Sequence, residues 1–313
     1  MNNPLVSVIC LCYNQQKFLC EALDSVQNQT YDNIQLIIVD DASTDGSKER
    51  IKSWLSGKSD VPFLDHSVNL GSTTAFNTGL ALASGDYIID LAADDVLCLD
   101  RVEKQVRFFE TLGHEVGVIY SDAMYINADS EPQALHFDQS RLVSHVGDIY
   151  ADVIDTYFIP TPTMMMRREV LDELQGYDES LAYEDFDFWV RSARNWQYQY
   201  QSDVLTKIRK SQWSYSTNWY KKGDPQLYST YLICLKIRDL NRSQEENIAL
   251  LNRIRFEMRQ SFLSGNHREF DLFHLLYTDL GESSWIYTLL KILNRLKLNF
   301  SIVRSFYHKL RFG

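Results

Sequence analysis

Short, nearly continuous apolar segments alternate with amphipathic segments through the first 125 residues, and the fold class follows mainly from this alternation. The apolar segments LVSVICL, IQLIIVD and YIIDLAA have the length and the β-branched content of buried strands. Between them, KFLCEALDSVQ, SKERIKSWL and TTAFNTGLALA carry apolar residues at helical spacing. Because such strands are buried on both faces and joined by helices, the pattern predicts an α/β fold with a mostly parallel sheet flanked by helices.

The alternation weakens in the second part of the chain. Residues 127–148 show no regular period and are predicted to form a long loop, and a looser α/β pattern then continues to about residue 210. From Pro225 to Gly313 the pattern indicates helices throughout. We therefore predict an α/β domain over residues 1–210 and a helical C-terminal extension over residues 211–313.

The formal net charge of −11 argues against a nucleic-acid partner, which requires a basic face. This charge is unevenly distributed, because the segment after Glu282 contains six Lys and Arg residues and no acid. Residues 1–282 therefore carry a net charge of −17, which is −11 minus 6.

The five cysteines indicate a reducing compartment, because their number is odd and no CxxC pair occurs. The N-terminal residues lack the basic region of a signal peptide and lead directly into the first apolar segment. No apolar stretch approaches the roughly 20 residues that a membrane-spanning helix needs. We therefore predict a cytoplasmic location.

Polar residues follow three of the predicted strands, where α/β proteins bind their ligands. Tyr13 follows the first strand, Asp40 and Asp41 end the second, and Asp94 and Asp95 follow YIIDLAA. Two adjacent buried carboxylates repel each other unless a cation or a hydrogen-bonding ligand lies between them. An Asx turn or a helix N-cap would also explain such residues, so both interpretations remain open.

Several common ligand motifs are absent from the sequence. There is no GxGxxG after the first strand, and HExxH and GxSxG do not occur. A nucleoside diphosphate fits the strand ends better. A carboxylate of the Asp40–Asp41 pair can accept a hydrogen bond from the imide N–H of uracil, while Tyr13 stacks on the base. One carboxylate of the Asp94–Asp95 pair can bind a divalent cation that bridges the phosphates, and the other can reach the ribose or a metal-bound water.

Five segments of the chain, in order, resemble the family 2 glycosyltransferases, which have the GT-A fold. The resemblance covers roughly residues 4–210 and is carried by the segments VSVICLCYN, QNQTYDNIQLIIVDDASTDGS, NLGSTTAFNTGLALASGDYI, AADDVLCLDRVEKQV and RREVLDELQGYDESLAYEDFDFWVRSA. It implies a metal-dependent hexosyltransferase that uses Mn²⁺ or Mg²⁺ and a UDP-sugar donor. Transfer would proceed with inversion to a hydroxyl group of a glycan acceptor, either a surface polysaccharide or a glycoprotein glycan.

Two positions depart from the family pattern. The metal-binding motif usually reads D-x-D-D, and here its first position is Ala92, so metal binding would depend on Asp94 and Asp95, with Asp95 as the direct ligand. Phe76 stands where many relatives carry a basic residue near the diphosphate. From the strand ends we predict a donor site that contains Tyr13, Asp41 and Asp94.

The candidate general base lies in Glu184-Asp185-Phe186-Asp187, at the start of a predicted helix. The acids at 184 and 187 are equally well explained as stabilising the positive end of the helix dipole. Asp185 differs because Phe188 and Trp189 share its face, and an aromatic setting can raise the pKa of a carboxyl group and can stack against a sugar ring. The family's E-D motif also implies that Asp185 is the base.

Two other functions remain open at this point. A catalytically silent nucleotide-sugar-binding subunit would keep Asp41 and Asp95 but would not need Asp185. A nucleotidyltransferase would normally need a glycine-rich basic loop after the first strand, where this chain has CLCYNQQKF.

Residues 283–313 form a basic amphipathic pattern with two open interpretations. The segment either packs against the rest of the protein, as a structural or homo-oligomer element, or lies on the anionic inner face of the membrane, near a lipid-linked acceptor.

Overall fold

The computed structural model describes residues 3–140, 142–210 and 220–297, and the chain divides into two compact units. Residues Met1–Ile149, Phe158–Glu179 and Arg191–Ser211 form the first unit. Residues Tyr150–Tyr157 and Ser180–Val190 group with the C-terminal helices in the second unit. A boundary between folding domains at residue 210 remains a prediction.

The first unit is built around one mixed sheet. Its strands lie in the order β3-β2-β1-β4-β8-β6-β9-β5, and β7 pairs with β6. Strands β1 to β4 are parallel, as the alternation predicts, whereas β8 runs antiparallel to β4 and β6, and β9 is parallel to β6. The strands are β1 (Val6–Cys12), β2 (Ile34–Asp40), β3 (Phe63–Asp65), β4 (Tyr87–Ala92), β5 (Val96–Leu97), β6 (Val116–Ile126), β7 (Pro132–Leu135), β8 (Met165–Arg167) and β9 (Gln197–Arg209).

Twelve helices accompany these strands in the described parts of the chain. They are α1 (Leu19–Gln27), α2 (Ser47–Trp54), α3 (Ser72–Leu80), α4 (Arg101–Phe109), α5 (His136–Ser140), α6 (Tyr150–Asp155), α7 (Arg168–Leu174), α8 (Glu184–Ala193), α9 (Pro225–Leu240), α10 (Gln244–Ser264), α11 (His267–Asp279) and α12 (Trp285–Asn294).

The prediction of a long loop over residues 127–148 is wrong, because this segment contains β7 and α5. The strand β7 has no alternating apolar pattern and is held by backbone pairing with β6, for example between Ala134 and Tyr125. Such pairing is tertiary, so the local pattern does not reveal it.

The core of the first unit follows the apolar patterns. On β1, Val6, Val8 and Cys10 are buried, and α1 covers the sheet with Leu19 and Leu23, which are one turn apart. The run Met164–Met166 is also buried, as expected for core residues.

The second unit contains the helices of residues 220–297, and α10 packs against α6, α9 and α11. A capping box begins α10, where Ser243 accepts a hydrogen bond from the backbone N–H of Glu246. The buried Arg253 donates hydrogen bonds to the carbonyl groups of Ile154 and Asp155 at the end of α6. Within the described part of the chain, no helix combines the length and the apolar character needed to cross a membrane.

Candidate active site

The carboxyl ends of β1, β2 and β4 meet at one edge of the sheet, which we call the carboxyl edge. In the parallel register, Cys12 lies beside Asp40 and Leu11 lies beside Ala92. The pairing continues past the strands, since the backbone N–H of Asp41 donates to the carbonyl of Cys12 at 2.8 Å. The residues that follow these strands, Tyr13 and the two Asp pairs, are therefore neighbours in space.

The loop after β1 is fixed to the loop after β2. Asn14 has a left-handed backbone with φ +55°, and its side-chain oxygen accepts hydrogen bonds from the backbone N–H groups of Thr44 and Asp45. Its own backbone N–H donates to the hydroxyl of Ser43 at 2.9 Å. The side chain of the preceding Tyr13 is 47% exposed, so its ring is accessible to a ligand.

Asp41 binds the next loop through both of its carboxylate oxygens. Oδ1 accepts a hydrogen bond from the backbone N–H of Leu70 and contacts Nδ1 of His66, each at 2.9 Å. Oδ2 accepts a hydrogen bond from the backbone N–H of Gly71 at 2.8 Å. Since Gly71 has φ +90°, a conformation that favours glycine, the residue and its contact with Asp41 fix the start of α3.

Asp40 is fully buried and has a different environment. One of its oxygens accepts a hydrogen bond from the backbone N–H of Ser43, as in an Asx turn. The other oxygen is buried with no hydrogen-bond partner among the described residues. Asp40 is thus a structural residue of the turn, whereas Asp41 fixes the 70–71 loop.

Asp94 and Asp95 occupy the turn after β4. Asp95 is buried, and one of its oxygens accepts a hydrogen bond from the backbone N–H of Arg209 at 2.8 Å. Burial raises the pKa of the Asp94 carboxyl group. Burial and the neighbouring charge of Asp94 raise the pKa of Asp95 well above its ordinary value. The surrounding protein therefore only partly offsets the two negative charges.

The buried Arg209 at the end of β9 supports this turn mainly through backbone groups. Its Nε donates to the carbonyl oxygen of Asp94 at 3.0 Å, and its Nη1 donates to the carbonyl oxygen of Asn127 at 2.7 Å. Its Nη2 forms a 2.6 Å ion pair with Glu21. The guanidinium carbon lies 4.4 Å from the centre of the Phe18 ring.

A second buried arginine, Arg101, contributes positive charge near Asp95. Its guanidinium group donates hydrogen bonds to Gln105, to the hydroxyl of Thr206 at 2.8 Å and to the carbonyl oxygen of Met164 at 2.9 Å. These bonds tie α4 to β9 and to the segment before β8. The guanidinium groups of Arg101 and Arg209 therefore affect the Asp94 and Asp95 carboxylates mainly through their positive charge, because their hydrogen bonds go to other groups.

The carboxylate oxygens of Asp94 and Asp95 are ligands that suit a hard divalent cation. Within the described ranges, no group of three or more His, Cys, Asp or Glu side chains is arranged as a complete metal site. Mg²⁺, however, is typically held by one or two carboxylates together with substrate phosphates and water. Two carboxylates with raised pKa values suit such a shared site, because the cation would favour their charged forms.

Asp185 belongs to the second unit, where it is the second residue of α8 and is half-buried. Its neighbour Asp187 is fully buried and forms a 2.6 Å ion pair with Lys236. The side chains of Phe188 and Trp189 are also buried. The stacking of a sugar ring on these two side chains, which the sequence pattern suggested, is therefore not available in this structure.

Tyr183 lines a cavity in the second unit together with Tyr157, Tyr220 and Glu257. The cavity volume is about 10 Å³, which is enough for one water molecule and too small for a sugar. Burial raises the pKa of Tyr183 well above its ordinary value, and the nearby charge of Asp185 adds to this effect. Tyr183 thus packs within the second unit, where the cavity beside it is too small to hold a sugar acceptor.

Phe76 is also a core residue, because it is fully buried and stacks on Tyr177 with ring centres 4.3 Å apart. The sequence interpretation missed three residues that shape the carboxyl edge, namely Glu21, His66 and Arg209. The position of Arg209 at the end of the looser α/β pattern, which continues to about residue 210, was the available signal, whereas His66 and Glu21 join the site through tertiary contacts.

Comparison with known proteins identifies the family of this chain. Residues 7–175 match the model of glycosyl transferase family 2. An uncharacterized glycosyltransferase of Haemophilus influenzae is 30% identical over 228 residues, which are 71% of this chain and 86% of the relative. One from Methanocaldococcus jannaschii is 29% identical over 222 residues, which are 66% of this chain and 70% of the relative.

Solved structures share the fold at lower identity. The S. aureus TarS fragment 1-349 in complex with UDP-GlcNAc superimposes with a TM-score of 0.64 at 21% identity, over 84% of this chain and 74% of that one. The mannosyltransferase PcManGT from Pyrobaculum calidifontis, in complex with GDP-Man and Mn²⁺, gives a TM-score of 0.62 at 18% identity, over 98% and 84%. The fold is of the GT-A type. Because the family model matches more than half of its residues, the chain belongs to glycosyl transferase family 2.

Proposed function

We propose that the chain transfers a hexose-type sugar from a UDP-sugar to a hydroxyl group of a glycan acceptor, with inversion at the anomeric carbon. The observation that carries this proposal is the pair of the partly buried Asp94 and the buried Asp95, whose partly offset charges lie at the same edge as the exposed Tyr13. The complexes of TarS with UDP-GlcNAc and of PcManGT with GDP-Man support a nucleotide-sugar donor.

In this proposal each residue of the carboxyl edge has a distinct role toward the donor. Tyr13 stacks on the uracil ring, and Asp41 accepts its imide N–H, since Oδ2 accepts one hydrogen bond from the described residues and an oxygen of this kind can accept two. Asp95 and Asp94 hold Mn²⁺ or Mg²⁺. When bound, that cation offsets the charge of the diphosphate leaving group.

We assign the general base to Asp185. Its carboxylate takes the proton of the acceptor hydroxyl as that oxygen forms a bond to the anomeric carbon, while the bond from this carbon to the diphosphate oxygen breaks and UDP leaves with the electron pair. The burial of Asp187 against Lys236 supports this choice, because a base must be able to reach a substrate proton. The five free cysteines are consistent with a reducing compartment, and we place the reaction in the cytoplasm.

The test is release of UDP from a panel of UDP-sugars, with and without Mn²⁺, because slow hydrolysis of the donor needs no acceptor. We expect release from at least one UDP-sugar and a clear increase with Mn²⁺. Binding of UDP-sugars without release would favour the catalytically silent subunit. Formation of pyrophosphate from UTP and a sugar phosphate would identify a nucleotidyltransferase.

The role of Asp185 is tested with Asp185→Asn, which should lower turnover about 100-fold or more and change donor affinity by no more than a few-fold. Glu184→Gln is the matched control, since it removes one charge at the same helix start and should keep most of the activity. Near-normal turnover of Asp185→Asn, or an equal loss in Glu184→Gln, would contradict the assignment.

A further inference from the structure

The helix α12 presents its apolar side to the outside of the second unit. Trp285, Leu289 and Ile292 on this helix are 76%, 46% and 55% exposed, and Leu296 in the turn that follows is 61% exposed. At about 100° per residue, these four side chains lie within about 60° of one another around the helix axis. We call these four residues the apolar stripe.

The opposite side of α12 packs against the protein and forms hydrogen bonds with it. Asn294 is almost fully buried, and its side chain donates to the carbonyl of His267 at 2.9 Å and to the carboxylate of Asp271 at 3.1 Å. In the first turn of the helix, the Tyr287 hydroxyl accepts a hydrogen bond from Arg259 of α10. The hydrogen bonds therefore fix α12 in an orientation that leaves the apolar stripe outside.

The charged residues of α12 and of the turn that follows it at 295–297 are all positive. Arg295 and Lys297 are exposed in the turn that contains Leu296, and Lys291 lies on α12 itself. From Ser283 to the end of the chain the sequence contains no Asp or Glu. A second copy of this chain placed against the stripe would bring like charges together, whereas an anionic surface would be attracted.

We propose that the apolar stripe docks on an anionic lipid membrane. Large apolar side chains with an exposed Trp, flanked by cations that can reach the headgroups, are the composition of helices that lie in the membrane interface. A soluble protein gains nothing by leaving such a stripe in water. Docking would bring the enzyme to a lipid-linked glycan acceptor. This last inference about the acceptor rests on the proposed function.

The test is flotation of the full chain with vesicles of phosphatidylcholine alone, or of equal parts phosphatidylcholine and phosphatidylglycerol. The chain should float only with the acidic vesicles, and binding should weaken strongly at about 0.5 M salt, where charges are screened beyond about 4 Å. The double variant Leu289→Asp/Ile292→Asp should reduce partitioning at least tenfold. Since both side chains face outward, its thermal unfolding should match that of the unsubstituted chain.

The matched control is Ile248→Asp/Leu275→Asp, which places the same two charges on exposed apolar positions of α10 and α11. It should change partitioning less than twofold. Absence of flotation with acidic vesicles, or an equal effect of the two double variants, would overturn the proposal. So would a dimer in analytical ultracentrifugation that only the stripe variant dissociates, combined with unchanged flotation of that variant. UDP release measured on the same samples shows separately whether the proposed function holds.

Discussion

The Asp pairs after β2 and within the turn after β4 are similar in sequence, but their surroundings differ. Three of the four oxygens of the Asp40–Asp41 pair are in contact with nearby backbone N–H groups or with His66. The Asp94–Asp95 pair accepts the backbone N–H of Arg209, while the nearby guanidinium groups of Arg101 and Arg209 donate hydrogen bonds to other partners. Burial consequently raises the pKa values of Asp94 and Asp95.

This difference separates two uses of adjacent carboxylates at a strand end. Where backbone donors contact the carboxylates, as at Asp41, the charge stabilises a loop and shapes the site. Where few donors contact the carboxylates, as at the partly buried Asp94 and the buried Asp95, the native state carries an electrostatic penalty that a bound cation can relieve. We therefore expect the first pair to serve mainly structure, and we propose that the second serves ligand binding.

The largest effect is expected for Asp95→Asn on UDP release in the presence of Mn²⁺. Asparagine keeps a side-chain oxygen for the N–H of Arg209 but removes the negative charge, so turnover should fall about 100-fold or more, or about 2.7 kcal/mol in activation free energy. Asp65→Asn is a suitable control, because Asp65 is paired with Lys48 outside the turn and should tolerate the change. A loss of less than threefold in Asp95→Asn would place the cation elsewhere.

A smaller effect, on stability, is expected for Asp41→Asn. The amide replaces one of the two oxygens with an NH2 group, which is a donor, so the backbone N–H of either Leu70 or Gly71 loses its acceptor. The free energy of unfolding should fall by about 1–3 kcal/mol, measured by urea denaturation. Asp65→Asn should change it by no more than about 0.5 kcal/mol. Equal stability of the two variants would mean that Asp41 does not fix the 70–71 loop.

Asp41→Ala also tests the proposed hydrogen bond between Asp41 and the uracil ring of the donor. If Asp41 accepts the imide N–H of uracil, the substitution should weaken UDP binding several-fold more than it weakens GDP binding. Calorimetric titration with both nucleotides measures this difference. Equal weakening for UDP and GDP would assign Asp41 to structure alone.

The smallest effect concerns the pH dependence of stability. Because the folded-state pKa values of Asp94 and Asp95 are raised, the folded protein binds more protons than the unfolded chain above the ordinary Asp pKa of about 3.9. The contribution of the pair to stability therefore falls as pH rises from there through the raised pKa values.

Asp94→Asn removes one of these titrating groups. It should raise the free energy of unfolding of the ligand-free protein at pH 7, with a smaller gain at pH 5. Urea midpoints measured from pH 5 to pH 8 give both numbers. A gain that does not depend on pH, or a loss at pH 7, would contradict a net electrostatic penalty at this pair.

The sequence predicts the parts of the molecule that follow from local pattern and from parallel pairing. Strands β1, β2 and β4 and the helices between them come from apolar periodicity, and their parallel order brings Tyr13, Asp41 and Asp94 to one edge. The strand β7 could not be predicted, because it is defined by pairing with β6.

The residues that surround the site could not be predicted from the local sequence either. Nothing within a few residues of Asp41 indicates that His66 and the 70–71 loop contact its carboxylate. Arg209 lies 114 positions from Asp95, to which its backbone N–H donates. Contacts between distant segments thus decide two things. They decide which Asp pair receives hydrogen bonds from nearby loops, and which pair remains with repulsion between its negative charges.

The most direct test of the central claim is calorimetric titration of UDP into the unsubstituted chain and into Asp95→Asn, with and without Mn²⁺. If the Asp94–Asp95 turn holds a cation shared with the diphosphate, Mn²⁺ should tighten UDP binding to the unsubstituted chain at least tenfold. It should have little effect on Asp95→Asn. An equal benefit of Mn²⁺ in both proteins, or no benefit in the unsubstituted chain, would contradict the proposed role of this carboxylate pair.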